Sequence, residues 1–496
     1  MDIIKARKIY LDIRKKLKAY EYLTWLASWD AETESPEGTV EYRSNQMEII
    51  TREIYDIESD SEYVNSIDLL YKHKEDLDKE FSREIMLKKK ELMIIKKIPK
   101  NEYIQHQVLL GKSFHIWNKA KIDNDFTHFK PILKKIVDYQ RNFVKYLETK
   151  NLRGYDILLD LYEEGYTQKE YDKFFSAVKE KLLPFVKSKI NSPNQGNMYF
   201  NSQSFDISKQ KEFSEYLLDV FSYDRKHGLL KTSAHPFTSG VTSVDTRITT
   251  RYDEKNLISS IFSTIHELGH AIYEMQNHKK YDQTFLHGGT SLGIHESQSR
   301  FYENMIGKSK AFWEVHYKKL KEIFIPQFDN MNLDEFMKIV NDTKASLIRV
   351  DADELTYVLH IMIRYDLEKQ LINGNLEVED LPTAWNEKTK EYLGITPMDL
   401  KTGVLQDIHW SYGSFGYFPT YALGSAYSAQ IYNSMNKEIS IIDSIKNNEI
   451  YKINEWLKNK IHKYGKTKTP KEIIKLATGE DFDPNYYIDY LKKKYE

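Results

Sequence analysis

The stretch NLISSIFSTIHELGHAIYEMQ, residues 256–276, predicts a buried helix that carries chemistry. Leu257, Ile258, Ile261, Phe262, Ile265, Leu268 and Ile272 recur at the spacing of one apolar helix face. His266 and His270 stand four apart, so the helix presents both imidazoles on one side, close enough to hold a single ion. Glu267 points into adjacent space, where a carboxylate can take a proton from water. Two neutral imidazoles, a carboxylate base and a coordination position left open are the parts of a zinc-type hydrolase. The competing reading is a helix whose histidines are satisfied by neighbours. Two interior imidazoles beside a carboxylate with no ligand are costly, which counts against it.

A third ligand is expected from a second helix. The loop FLHGGTSLG (285–293) leads into IHESQSRFYENMIG (294–307), with Thr290 or Ser291 as the cap. Glu296, 26 residues after His270, is the candidate. Its neighbour His295 points about 100° away. Glu303 shares the face of Glu296, either orienting a ligand imidazole or serving as an ordinary surface charge.

Composition narrows the remainder. With no cysteine in 496 residues there is no disulfide framework, thiolate nucleophile or iron–sulfur cluster, so a metal must be held by His, Asp or Glu. The 20 glycines and 12 prolines are roughly half the usual share of ~12%, which favours helices over turn-rich sheets. Lysine plus arginine number 72 against 74 acidic residues, a net charge of −2, so nucleic acid is not an expected partner. No run of 18 apolar residues suggests a membrane span, and the charged start MDIIKARKIYLDIRKKLKAYEYL is unlike a secretory signal. A cytoplasmic location is expected.

The pattern from Ile3 to about Phe126 is a series of amphipathic helices, open to reading as an N-terminal lid subdomain over 1–126. Pro36 and Gly38 mark a turn before a helix that Thr39 could cap. The Lys-rich run LKKKELMIIKKIPK (87–100) alternates with apolar positions and is expected to be a solvated helix face. Helices continue over 128–225, with a polar break at SPNQGN (192–197). HPFTSGVTSVDTRITTRYD (235–253) is Thr- and Val-rich with near-alternation, the clearest strand signal. Helical periodicity returns from Asn256 to the end. One large, mainly α domain over 1–496 with a small β-sheet is predicted, its chemical motifs within 235–430.

Beyond HELGH and HESQSR (295–300), the sequence resembles the carboxypeptidase Taq family of metallocarboxypeptidases. DTRIT (245–249) is similar to the family's D-x-R-x-T, IRVDADE (348–354) to I-R-x-x-A-D, and GVLQDIHW (403–410) to G-x-x-Q-D-x-H-W. GYFPTYALG (416–424) and WDAETESP (29–36) also resemble family segments, so the likeness spans nearly the whole chain in order. Ser35 stands where the family has an apolar residue, and Ser425 follows Gly424 where it often has Asn.

The resemblance implies a deeply clefted helical fold, like that of the neurolysin and angiotensin-converting-enzyme peptidases, and a homodimer. It implies release of single C-terminal amino acids from peptides by a water activated at one divalent metal per subunit. His266, His270 and Glu296 would hold the metal, with Glu267 as general base and acid. A His2Glu set takes Zn²⁺ first, with Co²⁺ or Mn²⁺ also accommodated. Arg349 becomes the candidate for the substrate's terminal carboxylate, because a guanidinium offers a planar two-donor fork, unless it serves a salt-bridge network. Arg247, with Asp245, is the alternative anchor or a tie for its strand. His409 and Tyr421, twelve apart as in the neurolysin-like peptidases, are the oxyanion donors, with Tyr417 and Tyr412 as competitors. The strand 244–250 is expected to pair with substrate backbone. The rival functions are an oligoendopeptidase of the same fold and an inert helical peptide-binding scaffold.

Overall fold

The computed structural model describes residues 1–190, 200 and 202–496; the SPNQGN break lies outside the described residues. Among the described residues, helices succeed one another with a single three-stranded sheet. The helices Ile3–Thr33, Ser61–Lys72 and Lys79–Lys97 bury Ala6, Tyr10, Leu17, Ile67, Leu70, Ile85 and Leu92 in a cluster of their own. Trp117, Ala120 and Phe126 belong instead to the main core, so the separate N-terminal core stops short of residue 126. In the Lys-rich run, Lys89 and Lys90 reach Asp68 and Asp160, but Lys88 is buried over the Phe285 ring while Met93 and Ile95 are exposed, so the run is only in part the solvated face expected.

Thr39 does not cap the helix Val40–Glu58. A short turn, Glu37–Thr39, runs directly into that helix and already holds Thr39 in helical geometry. Its hydroxyl therefore donates back to the Pro36 carbonyl rather than accepting from the first helical amides.

The β-rich segment folds into two strands rather than one: β2 (Thr238–Thr242) and β3 (Asp245–Thr250). They pair antiparallel, while the short β1 (Leu230–Thr232) pairs parallel to β3 on the other side. β3 is thus the central strand, with both edges taken. This corrects the expectation that 244–250 receives substrate backbone, because a strand hydrogen-bonded on both sides has no ladder groups left to offer. The edge strand beside the HELGH helix is β2.

Three helices form the heart of the molecule: Leu257–Met275, Leu292–Arg300 and Phe418–Glu438. Ser291 caps the second, its hydroxyl accepting from the Ile294 amide, whereas Thr290 donates to the Gly465 carbonyl. Two glycines set how closely these helices approach. A Cβ on Gly269 would lie 2.7 Å from the Gln298 oxygen, and one on Gly424 would lie 2.7 Å from Cβ of Glu296. Gly424→Ala is accordingly expected to destabilise the fold by about 1–3 kcal/mol. A thermal melt reads this directly, and an unchanged Tm would show that the two helices separate without strain.

Candidate metal centre and active site

The close helix packing brings His266, His270 and Glu296 together, with one ligand atom from each lying within 4.8 Å of the others. Nε2 of His270 is 3.5 Å from Oε2 of Glu296, and Nε2 of His266 is 3.7 Å from the same oxygen. Ligand atoms bound tetrahedrally at ~2.0–2.1 Å from an ion lie ~3.3–3.4 Å apart, so both separations from Glu296 suit one small divalent cation. Both rings turn Nε2 inward because Nδ1 is held elsewhere. At His266 it is 2.9 Å from Oε2 of Glu303, and at His270 it is 2.6 Å from Nδ1 of His295. His295 in turn places Nε2 2.6 Å from the buried Glu274 carboxylate. The consistent tautomers run Glu274 ← His295 ← His270, leaving Nε2 of His270 a neutral lone pair.

Charge supports the same assignment. Burial, with His295 and His266 beside it, pushes the His270 imidazole down to about 3, which keeps it unprotonated. At His266 burial works against the charged form, but Glu296 and Glu303 outweigh it and hold the pKa above the usual value. Burial likewise opposes charge on Glu296, yet Arg300 and the two imidazoles hold its carboxyl well below the ordinary range. Arg300 donates from Nε to Oε1 of Glu296 at 2.7 Å and from Nη1 to Oε2 of Glu303 at 3.2 Å. Lys308 adds a second cation 2.7 Å from Oε1 of Glu303. Glu303 is therefore a buried partner of His266, the first of its two sequence readings.

Glu267 lies beside this group, 6% exposed, with Oε2 accepting the Thr238 hydroxyl of β2 at 2.7 Å. Burial raises its pKa, only partly countered by His266 and by that hydroxyl. A carboxylate shifted upward is better matched to proton transfer near neutral pH.

Arg349, buried, donates from Nε to Oδ1 of Asp407 at 3.0 Å, with Nη2 2.9 Å from the same oxygen, and from Nη1 to the Tyr357 phenol at 3.2 Å. Arg364 donates to the other oxygen of Asp407, and to Gln406 and the His360 carbonyl. The salt-bridge network, the second sequence reading of Arg349, is thus present. Two guanidiniums share a single carboxylate, and donors on Nη1 and Nη2 of Arg349 remain for another anion. His409 and Tyr421 adjoin it: Nε2 of His409 is 3.4 Å from the Tyr421 hydroxyl, and the Arg349 guanidinium lies 5.2 Å from the Tyr421 ring centre. Burial pushes His409 down to about 3 and, with Tyr417 alongside, keeps the Tyr421 phenol protonated. Both can donate as neutral groups. Tyr417 packs against both rings, whereas Tyr412 is half exposed and stacks on Phe114.

Asp245 and Arg247 pair with each other through two 2.8 Å hydrogen bonds. The Arg247 guanidinium sits 4.6 Å above Trp25 of the first helix, and Trp25 donates to the Ser239 hydroxyl of β2. The pair joins the sheet to the N-terminal helices.

Residues 10–495 match the family described as carboxypeptidase Taq (M32) metallopeptidase. The chain belongs to this family. Carboxypeptidase 1 of Bacillus subtilis (strain 168) is 42% identical over 496 residues, covering 100% of this chain and 99% of that one. The solved structure of the Pyrococcus furiosus carboxypeptidase is 33% identical with a TM-score of 0.94, covering 99% of each chain. The M32 carboxypeptidase from Deinococcus radiodurans R1 is 29% identical with the same TM-score and coverage. The protein is a metal-dependent carboxypeptidase acting on peptides, and neither the endopeptidase nor the inert-scaffold alternative is favoured. Among the described residues no helix is long and apolar enough to cross a membrane.

Several residues of this M32 site carried no assigned role in the sequence. Asp407 and Gln406 lie inside GVLQDIHW and Arg300 closes HESQSR, so the motifs point to their neighbourhood but not to their partners. His295 does turn away from Glu296, as its helical angle requires, and thereby meets His270 from the side. Two buried carboxyls had no sequence signal at all. Glu163 accepts from the Ser291 hydroxyl and the Gly293 amide, fixing the start of the Glu296 helix. Glu368 accepts from the Trp410 indole and the Gly416 amide, bracing the loop that carries His409. Burial raises both to about 7.

Proposed function

We propose that His266, His270 and Glu296 hold one zinc ion, that Glu267 is the general base and acid, and that Arg349 receives the terminal carboxylate. The observation that carries this reading is the convergence of two Nε2 atoms on one carboxylate oxygen, with Glu267 alongside. An all-nitrogen-and-oxygen donor set suits Zn²⁺ and also accommodates Co²⁺ or Mn²⁺. When bound, the ion supplies Lewis-acid polarisation and lowers the pKa of a water.

The chain's own residues do the rest. The free donors of Arg349 seat the substrate carboxylate, fixing which peptide bond lies beside Glu267. Glu267 takes the proton from the attacking water and returns it to the departing amine. Neutral His409 and Tyr421 donate hydrogen bonds to the oxyanion as it forms. Asp245 and Arg247 neutralise each other, so they support substrate binding by holding the N-terminal helices to the sheet. The N-terminal helices that share their own core, as far as Lys79–Lys97, would serve as the lid of a single catalytic domain. The family likeness supports a homodimer, and the cysteine-free composition suits a cytoplasmic location.

The test pairs a peptide free acid with its C-terminal amide, followed by mass spectrometry with and without a chelator. Ladder-like loss of single residues from the acid alone, abolished by chelation and restored by Zn²⁺, is expected. Internal cleavage of the amide at a comparable rate would sink the reading.

A further inference from the structure

We infer that Tyr357 positions both charged arms of the site, holding the carboxylate anchor through its hydroxyl and the ligand-orienting arginine through its ring. This rests on the roles proposed above for Arg349 and Glu296. Tyr357 lies in the helix Glu354–Asn373 and is 6% exposed. Its phenol oxygen accepts from Nη1 of Arg349 at 3.2 Å. Cζ of Arg300 stands 4.4 Å from its ring centre, a cation over an aromatic face. One side chain therefore touches both cations by chemically separate contacts.

The consequence at the metal end follows from Arg300. Its Nε takes Oε1 of Glu296, so Oε2 is the oxygen left facing the two imidazoles. Its Nη1 simultaneously holds the Glu303 oxygen that orients His266. The Tyr357 ring is the surface against which this guanidinium rests, fixing which carboxylate oxygen is presented to the ion. At the other end, the phenol oxygen takes a donor on Nη1 of Arg349 and Asp407 takes Nε and pairs with Nη2, which aims the remaining donors. Tyr357 is a positioning residue, since it acts through two arginines.

Separate contacts allow separate tests. Tyr357→Phe keeps the ring beneath Arg300 and removes only the oxygen, so it is expected to raise KM for a free-acid peptide about tenfold, the change falling on KM rather than kcat. Its zinc affinity, measured by chelator competition on the metal-free protein, is expected to stay within twofold of wild type. Tyr357→Leu removes both contacts and is expected to weaken zinc binding about tenfold further. Arg349→Gln, measured alongside, separates the two levels of inference. If Arg349→Gln raises KM while Tyr357→Phe leaves it within twofold, the positioning role is overturned and the anchor stands. If Arg349→Gln leaves KM unchanged, the anchor falls and the inference with it. Wild-type zinc affinity in a folded Tyr357→Leu protein also overturns it; should that variant not fold, the KM of Tyr357→Phe still decides.

Discussion

Glu267→Gln is expected to bind metal in wild-type stoichiometry and to lose about 10²–10⁴ in kcat. The substitution is nearly isosteric, and its amide oxygen can still accept the Thr238 hydroxyl that now bonds Oε2. His266, His270 and Glu296 keep their own orienting partners, none of which is Glu267. What disappears is a carboxylate whose burial raises its proton affinity and places it beside the imidazole pair. Metal content by mass spectrometry and turnover on one peptide measure the two halves separately. Turnover near wild type would remove Glu267 from the proton-transfer role, while loss of metal would mean the variant tests ligation instead.

Arg349→Gln should lower kcat/KM on free-acid peptides by about 10²–10³ and collapse the preference for the acid over the amide. Truncating one partner of a buried, hydrogen-bonded charge pair typically costs about 2–5 kcal/mol. Fold damage is limited here because Asp407 keeps Arg364, and the remaining pair is neutral. Arg349→Lys is not expected to rescue, since an ammonium cannot hold Asp407, Tyr357 and a substrate carboxylate in one plane. Kinetics on matched acid and amide peptides provide the measurement. A loss below threefold on the acid would make Arg349 a structural arginine, the other reading its sequence context allowed.

Local chemistry explains why so much of this site was legible beforehand. His266, Glu267 and His270 depend on one helix, and helical spacing is a property of sequence. Glu296 lies on the helix Leu292–Arg300, and Glu303 follows on the π-helical turn Phe301–Gly307 that continues it. The strand region was visible from its Thr and Val content, but its division at Ser243–Val244 comes from β2 folding back on β3, and the central place of β3 depends on β1, a strand too short to read. Thr39 failed as a cap because a preceding turn had already committed its backbone.

The sequence by itself determined the helical class, the nitrogen-and-oxygen donor set forced by the absence of cysteine, and the two histidines with their adjacent base. Each follows from composition or from contacts within a few residues. Only the tertiary structure decided which groups orient those ligands and where the anchor's charge is balanced. Thr238 reaches Glu267 across 29 residues, Asp407 meets Arg349 across 58, and Glu163 fixes the Glu296 helix from 130 residues away. Buried charges need partners wherever the chain can supply them. That supply is set by how closely the helices pack, and so by Gly269 and Gly424, two residues without a side chain.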